Sequence, residues 1–384
     1  MADPARVLSA LMEDDATDAP GVLSSLERVL REEAKADAVG LWLADYRRTA
    51  LLPLTGAGAM AIDGTPAGRA FAAQEPVPGG VDPAGGCWLY LPLSVRGDRL
   101  GVLGLHLLAP PGPTAQAELA PLAAAATYAL VVAGRDTDLF ERAARTTRLS
   151  LAAEIQWQLL PARSCVGEGF SLAGQLEPAY QVAGDTFGWS RDAGQLWIAV
   201  TDGVGRGTPV ALLVALATIA LRNARLAGLG LADQASLADQ ALYAVHSGEG
   251  FVNTLLLGLE LATGQVAVVG AGSPLLMRVR SGRAEPVKLD RQLPLGMFEG
   301  THYVEERFSL APGDRLVALS DGIHAARSPR EEEFGEAGLH RALQAIRLLP
   351  PAEAVRHLMA ELVRHHEGAE LRDDAVAVVA DWTG

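Results

Sequence analysis

Apolar residues recur at helical spacing at Val22, Leu23, Leu26, Val29 and Leu30, which predicts a helix over Val22–Ala34. The nineteen residues at the start of the chain are polar and acidic, with Glu13-Asp14-Asp15, and read as a flexible N-terminus. Ala38–Ala44 and Ala50–Leu54 read as paired strands. Gly56–Gly86 is rich in Gly and Pro and predicts a short helix at Ala67–Gln74 with loops that roof a pocket. Two apolar runs, Trp88–Val95 and Leu100–Leu107, flank Arg96-Gly97-Asp98-Arg99 and form the clearest hairpin in the chain. Pro110–Pro113 breaks the pattern before an Ala-rich helix over Thr114–Ala133. A second helical stretch runs from Arg135 to Leu160, with a rough seam at Phe140, Ala144, Thr147, Leu151, Ile155 and Gln158. That seam fits an amphipathic helix on its own domain or a dimeric coiled coil, and Pro161 ends it.

From Phe170 the period changes to that of strands. Ser171–Glu177, Leu196–Thr201, Thr254–Leu261, Gln265–Gly270, Leu275–Arg280, Tyr303–Leu310, Arg315–Ser320 and Ala375–Ala380 are predicted strands. Helices are predicted at Pro209–Ala227, Leu231–His246 and Ala352–His366. The tight turns Ala262-Thr263-Gly264 and Ser281-Gly282-Arg283 mark antiparallel hairpins. A strand-rich domain with a few long helices reads as an α/β sandwich.

Composition narrows the function. A formal net charge of −14 leaves no basic excess for nucleic acid or an anionic membrane. The apolar runs around Leu119–Gly134 and Val210–Leu221 fall short of the ~20 residues of a membrane span. Two cysteines in separate halves, Cys87 and Cys165, and no basic, apolar leader at the start predict a soluble, cytoplasmic protein without a disulfide framework.

The chemistry lies in four acidic motifs: Ala183-Gly184-Asp185, Thr201-Asp202-Gly203, Ser320-Asp321-Gly322 and Arg372-Asp373-Asp374. A single Asp-Gly is a turn signal. Several beside buried-type strands in one domain, however, are the raw material of a hard-metal site, because Mg²⁺ and Mn²⁺ take oxygen ligands. Gly203-Val204-Gly205-Arg206-Gly207 lacks the spacing of a dinucleotide fingerprint, and neither a P-loop, a zinc H-E-x-x-H nor a G-x-S-x-G nucleophile occurs.

With these motifs come others in a fixed order. They are Ile155-Gln156…Leu159-Leu160-Pro161, Pro178-Ala179…Val182-Ala183-Gly184-Asp185, Phe251-Val252-Asn253-Thr254, Gly270-Ala271-Gly272-Ser273-Pro274, Leu293-Pro294-Leu295-Gly296, Pro312-Gly313-Asp314 and Phe334-Gly335. The set resembles the PPM-type serine/threonine phosphatases of the bacterial SpoIIE/RsbU branch from about Ala152 to the end. Helix, strands, roofing loops, hairpin and closing helix over 20–134 resemble a GAF domain at the level of pattern.

The resemblance implies an α+β chain: a flexible 1–19, a GAF-like sensor at 20–134, a helical linker at 135–160 and a PPM-type αββα sandwich at 161–384. It implies two Mn²⁺ or Mg²⁺ ions and a water that attacks a phosphoserine or phosphothreonine. Asp202 would bridge the ions, the Gly203 carbonyl would join one, Asp321 and Asp373 would complete the site, and Asp185 would orient the water. Asp374 would be a supporting partner or a spare ligand. The substrate would be a phosphorylated regulator such as a STAS-type anti-sigma-factor antagonist, the sensor would take a ligand of its own, and the linker helix would pair in a homodimer. This chain departs from the family pattern at Gly188, where an acid is usual, and at Arg206 and Ser273, where histidine is usual. Arg206 suits a substrate phosphoryl group or an exposed turn. The departures leave open a second reading, a phosphatase-fold scaffold that binds a partner without hydrolysis.

Overall fold

The computed structural model describes residues 3–13, 19–55, 58–146, 148–179, 182–192 and 194–384. Asp14, Asp15, Gly56, Thr147 and Gln181 lie outside them, and with them parts of the expected N-terminus, roofing loop and helical seam. The chain divides into two compact units, Met1–Arg148 and Leu149–Gly384.

The first unit runs α1 (Pro4–Glu13), α2 (Ala19–Ala34), β1 (Ala38–Ala44), β2 (Ala50–Thr55), β3 (Met60–Ala61), α3 (Pro66–Ala73), β4 (Val77–Val81), β5 (Cys87–Val95), β6 (Asp98–Leu107), α4 (Pro113–Ala133) and α5 (Leu139–Ala143). Its antiparallel sheet has the order β3-β2-β1-β6-β5-β4. One face packs Leu41, Leu89, Leu91 and Leu103 against Val7, Leu26, Leu30, Leu122 and Ala126 from α1, α2 and α4. The other carries Trp42 and Phe71 with Trp88 and Tyr90 beside them. There the Trp42 and Trp88 rings meet edge-on at 6.0 Å, and Trp42 Nε1 donates to Gly58 O.

The second unit runs α6 (Leu151–Leu159), β7 (Ser164–Gly167), β8 (Phe170–Glu177), β9 (Thr186–Arg191), β10 (Gln195–Gly203), α7 (Thr208–Leu226), α8 (Leu231–His246), β11 (Val252–Glu260), β12 (Gln265–Ala271), β13 (Leu275–Arg280), β14 (Arg283–Pro286), β15 (Glu306–Ser309), β16 (Arg315–Leu319), α9 (Asp321–His324), α10 (Gly335–Ala345), α11 (Pro351–His365) and β17 (Ala375–Trp382). Two antiparallel sheets, β15-β12-β11-β10-β9 and β14-β13-β16-β17-β8-β7, face each other across a core of Phe187, Ile198, Leu257, Leu316 and Val378. Strand alternation sends the other side chains outward. Leu256 and Val269 meet Val214, Ala217 and Leu242 of α7 and α8. On the opposite side Val317 and Val379 meet Leu339, Val355 and Leu358 of α10 and α11. The result is the expected αββα sandwich.

Three expectations need correction. Residues 4–13 of the supposedly flexible N-terminus form α1, with Val7 fully buried, because Val7 supplies an apolar anchor to the helical layer. The single helix over 135–160 is three pieces: a 3₁₀ turn at Gly134–Asp136, α5 and α6. Side-chain oxygens interrupt it: Thr137 Oγ1 accepts from Leu139 N–H, and Ser150 Oγ accepts from Ala153 N–H as the N-cap of α6. Such local bonds compete with the helical ladder, so the described residues form no continuous helix over 135–160. Finally, α4 and α7 extend beyond the apolar runs read from sequence and are long and apolar enough by length and composition to cross a membrane. Both lend one face to a core, through Leu122 and Ala126 in α4 and Val214 and Ala217 in α7.

Candidate active site

At one end of the sandwich, strand ends and short loops bring the four acidic motifs together. Asp202 lies at the end of β10, where the antiparallel register sets Asn253 of β11 opposite it. Asn253 Nδ2 donates to Asp202 Oδ2 at 2.9 Å, and Ser273 Oγ, just past β12, donates to the same oxygen at 3.0 Å. The Ser273 N–H donates in turn to Asn253 Oδ1 at 3.3 Å. Two backbone bonds zip the following loop to the segment before β9: Gly203 N–H to Gly184 O at 3.3 Å and Gly207 N–H to Val182 O at 2.7 Å. Pro209 sits in the first turn of α7, where its missing N–H costs nothing.

Asp185 follows Gly184, whose φ of +99° and proximity to Val210, 2.6 Å from where a Cβ would stand, admit only glycine. Asp185 is fully buried, and neither carboxylate oxygen has a hydrogen bond of normal geometry among the described residues. Burial, then the charges of Asp202 and Asp374, push its pKa well above the ordinary carboxylate value. Burial and the Asp321 charge raise Asp202 to about 6. Asp373 is raised to about 7 by desolvation, then by the charges of Asp321 and Asp202, although the residue as a whole is exposed.

The two neighbouring acids of the last motif have opposite surroundings. Asp374 is fully buried. Its Oδ1 accepts from Ala179 N–H at 2.7 Å. Its Oδ2 accepts from Gln156 Nε2, Ala183 N–H and Gly184 N–H at 2.7–2.9 Å, and from Asp185 N–H at 3.4 Å. The carboxylate is therefore saturated by the loop it holds. Asp373 Oδ1 accepts the Asp374 N–H at 2.9 Å, and the carboxylate lies in the field of Asp321 and Asp202. Asp321 opens α9 and is half-buried. Gly322 beside it has no room for a side chain, since a Cβ would lie 1.8 Å from the Asp374 carbonyl oxygen.

Arg206 is exposed, and its Nη2 donates to the Arg372 carbonyl at 3.3 Å, one residue before Asp373. Gly188 lies on β9 with open space where a Cβ would stand. Beyond α9 a cleft of about 760 Å³ is lined by Leu275, Met277, His324, Leu339, His340 and Arg341.

The structure thus brings Asp185, Asp202, Gly203, Asp321 and Asp373 to one end of the fold. Oxygen-only donors and an orphaned buried carboxylate fit a hard divalent cation. Among the described residues no three His, Cys, Asp or Glu side chains close on one point as a finished ligand cage. The acids are coupled through their fields instead. The sequence alone assigned no role to Gln156, Asn253 or Ser273. Each sits in one of the ordered motifs, but only the register and the packing reveal its partner.

Residues 192–383 match the family model described as Stage II sporulation protein E (SpoIIE). Protein IcfG of Synechocystis sp. is 25% identical over 135 residues, a match covering 35% of this chain and 21% of that relative. Among solved structures, the SiaA-PP2C domain of Pseudomonas aeruginosa superposes with a TM-score of 0.53 at 24% identity, covering 61% of this chain and 94% of that one. The RsbU and RsbW domains of Rv1364c from Mycobacterium tuberculosis give 0.50 at 22% identity, covering 56% and 62%. At these identities the structures establish the fold alone, which is that of PP2C phosphatases. The family model, which spans half of the residues and the β10, β16 and β17 motifs, carries the assignment further: the chain belongs to the Stage II sporulation protein E (SpoIIE) family.

Proposed function

We propose that the chain is a metal-dependent serine/threonine phosphatase acting on a phosphorylated regulatory protein. The observation that carries this reading is Asp185: a fully buried carboxylate with no hydrogen bond of normal geometry among the described residues and only the Ser320 hydroxyl to offset its burial, next to Asp202 and within the field of Asp373. A buried anion of this kind needs a proton or a cation. Asp202, the Gly203 carbonyl, Asp321 and Asp373 would hold two Mn²⁺ or Mg²⁺ ions. When bound, these supply positive charge that lowers the pKa of water and offsets charge on phosphoryl oxygens. Asp185 orients the attacking water through a free carboxylate oxygen. Asn253 and Ser273 fix the Asp202 carboxylate, and Asp374 fixes the backbone from Ala183 to Asp185. Arg206 stands at the rim, where its guanidinium suits a substrate phosphate.

The substrate class, a STAS-type anti-sigma-factor antagonist, is carried by the family resemblance alone, and the cytoplasmic setting is proposed on the two free cysteines. The first unit is proposed as a GAF-like sensor. Its support is a central antiparallel sheet with α1, α2 and α4 on one face and α3 with an aromatic group, Trp42, Trp88 and Tyr90, on the other.

Mn²⁺-dependent hydrolysis of p-nitrophenyl phosphate and of a phosphoserine protein, abolished by Asp202→Asn, is the expected result. Absence of turnover with Mn²⁺ and with Mg²⁺ sinks the reading. It would favour a partner-binding scaffold, the alternative that the departures at Gly188, Arg206 and Ser273 leave open.

A further inference from the structure

One side chain enters the floor of the site from a helix that contributes no acid. Gln156 of α6 is 1% exposed. Its Nε2 donates to the Asp185 carbonyl at 2.6 Å and to Asp374 Oδ2 at 2.7 Å. Both partners are acceptors only, so the orientation of the amide is unambiguous: the NH₂ must face them. Its Oε1 has no hydrogen-bond partner among the described residues. An amide that leaves a buried acceptor unsatisfied is a poor way to gain stability. Its two donors, however, join the two groups that govern where the Asp185 carboxylate points.

We propose that Gln156 is a positioning residue for the metal site, a pin whose two N–H groups set the spacing between the Asp185 backbone and the Asp374 carboxylate. The proposal rests on the reading of the site as a divalent-cation centre. Without the pin, Asp374 keeps its four backbone donors and the loop keeps its course. The Asp185 carbonyl loses the side-chain partner that fixes its peptide plane, so the carboxylate gains freedom. The helix carrying the pin is held at both ends. Ser150 caps its start, and the Trp157 ring lies under the Arg163 guanidinium at 4.8 Å near its end. It is also the first helix of the second unit, two residues after the division at Arg148/Leu149. A displacement of the chain at Leu149–Ser150 therefore reaches Asp185 through the two hydrogen bonds of Gln156.

The test uses the full chain and Gln156→Met, which keeps length and loses both donors, with Trp157→Phe on the same helix as control. Calorimetric titration with Mn²⁺ should show affinity about tenfold weaker in Q156M, the size typical of losing an outer hydrogen-bond partner of a metal site. With p-nitrophenyl phosphate, kcat should fall while KM stays within about twofold. Trp157→Phe should lower the melting temperature and leave Mn²⁺ affinity unchanged. Wild-type Mn²⁺ affinity in Q156M, whatever its melting temperature, overturns the proposal. If Q156M does not fold, amide hydrogen exchange on the wild type replaces it: Mn²⁺ should slow exchange in α6 together with Asp185, and unchanged exchange in α6 overturns the pin. Neither the Mn²⁺ titration nor the hydrogen exchange needs turnover. A wild type that binds Mn²⁺ but hydrolyses nothing ends the phosphatase reading and leaves the pin testable, and one that binds no Mn²⁺ ends both.

Discussion

The two donors on Asp202 Oδ2, from Asn253 and Ser273, can be accepted equally well by the side-chain oxygen of asparagine. Asp202→Asn should therefore abolish turnover without unfolding the protein. It should also stabilise the metal-free form. The Asp202 pKa, raised to about 6 by burial and Asp321, lies above its unfolded value. The stability this group contributes is fully present below about pH 4 and is lost as pH rises through 6. A pKa raised from 3.8 to about 6, at about 1.4 kcal/mol for each tenfold change in proton affinity, corresponds to about 3 kcal/mol lost by pH 8. Solvent exposure at Asp373 screens its share, and Asp185, pushed up by burial, adds to the fall in the same direction, so the difference between wild type and D202N is what reports Asp202. In EDTA, urea midpoints should fall from pH 5 to pH 8 in the wild type and fall less in D202N; equal slopes would contradict the assignment. Asp373 and Asp374 should separate in the same way. Asp373→Asn should lose Mn²⁺ affinity with the EDTA melting temperature unchanged or raised. Asp374→Asn, which replaces an acceptor by a donor among five N–H groups, should cost about 2–4 kcal/mol. The acids themselves were legible because an Asp after an apolar run is visible in one dimension. Asn253 and Ser273 were not, because their partner is set by the β10–β11 register and by the turn after β12.

At the scale of elements, periodicity carried most of the second unit. Leu231–His246 and Leu275–Arg280 have the bounds expected from their patterns, and β10, β11, β12 and β17 differ only at their ends. The failures have local causes. The strand expected over Tyr303–Leu310 shortens to Glu306–Ser309, because the Tyr303 hydroxyl turns inward to donate to the buried Asp239 at 3.1 Å. β9 went unread because only two apolar residues, Phe187 and Trp189, mark its alternation. α10 was hidden by glycines at its first and fourth positions, and Gly338 is there because the Phe334 ring lies 3.0 Å from where its Cβ would be. Contact of that kind is specified by tertiary packing, and no propensity scale records it. The tightest such contact in the second unit predicts a phenotype. Gly322→Ala puts a methyl group against the Asp374 carbonyl, so the Asp321 turn and the start of β17 must separate. We expect a loss of more than about 2 kcal/mol in urea unfolding, with Mn²⁺ affinity falling in step. A G322A protein with wild-type midpoint and affinity would show that these two segments are not held together as described.

Across the whole molecule, the division between Arg148 and Leu149 separates two hydrophobic systems that are each complete. The first has its own sheet and the α1, α2 and α4 layer, and the second has the sandwich core with a helical layer on each side. All five motif residues, and the Gln156, Asn253, Ser273 and Asp374 network around them, belong to the second unit. Independent cores and a site confined to one of them require independent responses to metal. Scanning calorimetry of the full chain should resolve two transitions, and Mn²⁺ at about a hundred times the dissociation constant of the tighter ion should stabilise only one of them, by about 2.7 kcal/mol from that ion. For a unit of this size each kcal/mol moves the midpoint about 2–4 °C, so that transition should rise by about 5–10 °C. Asp202→Asn should cancel the rise without removing either transition. Residues 149–384 alone should retain Mn²⁺-dependent turnover of p-nitrophenyl phosphate, because every acid and supporting residue of the site named above lies within them. A single transition that moves as a whole with Mn²⁺, or a fragment that folds and binds Mn²⁺ but has lost turnover, would mean that the first unit is needed to complete the site.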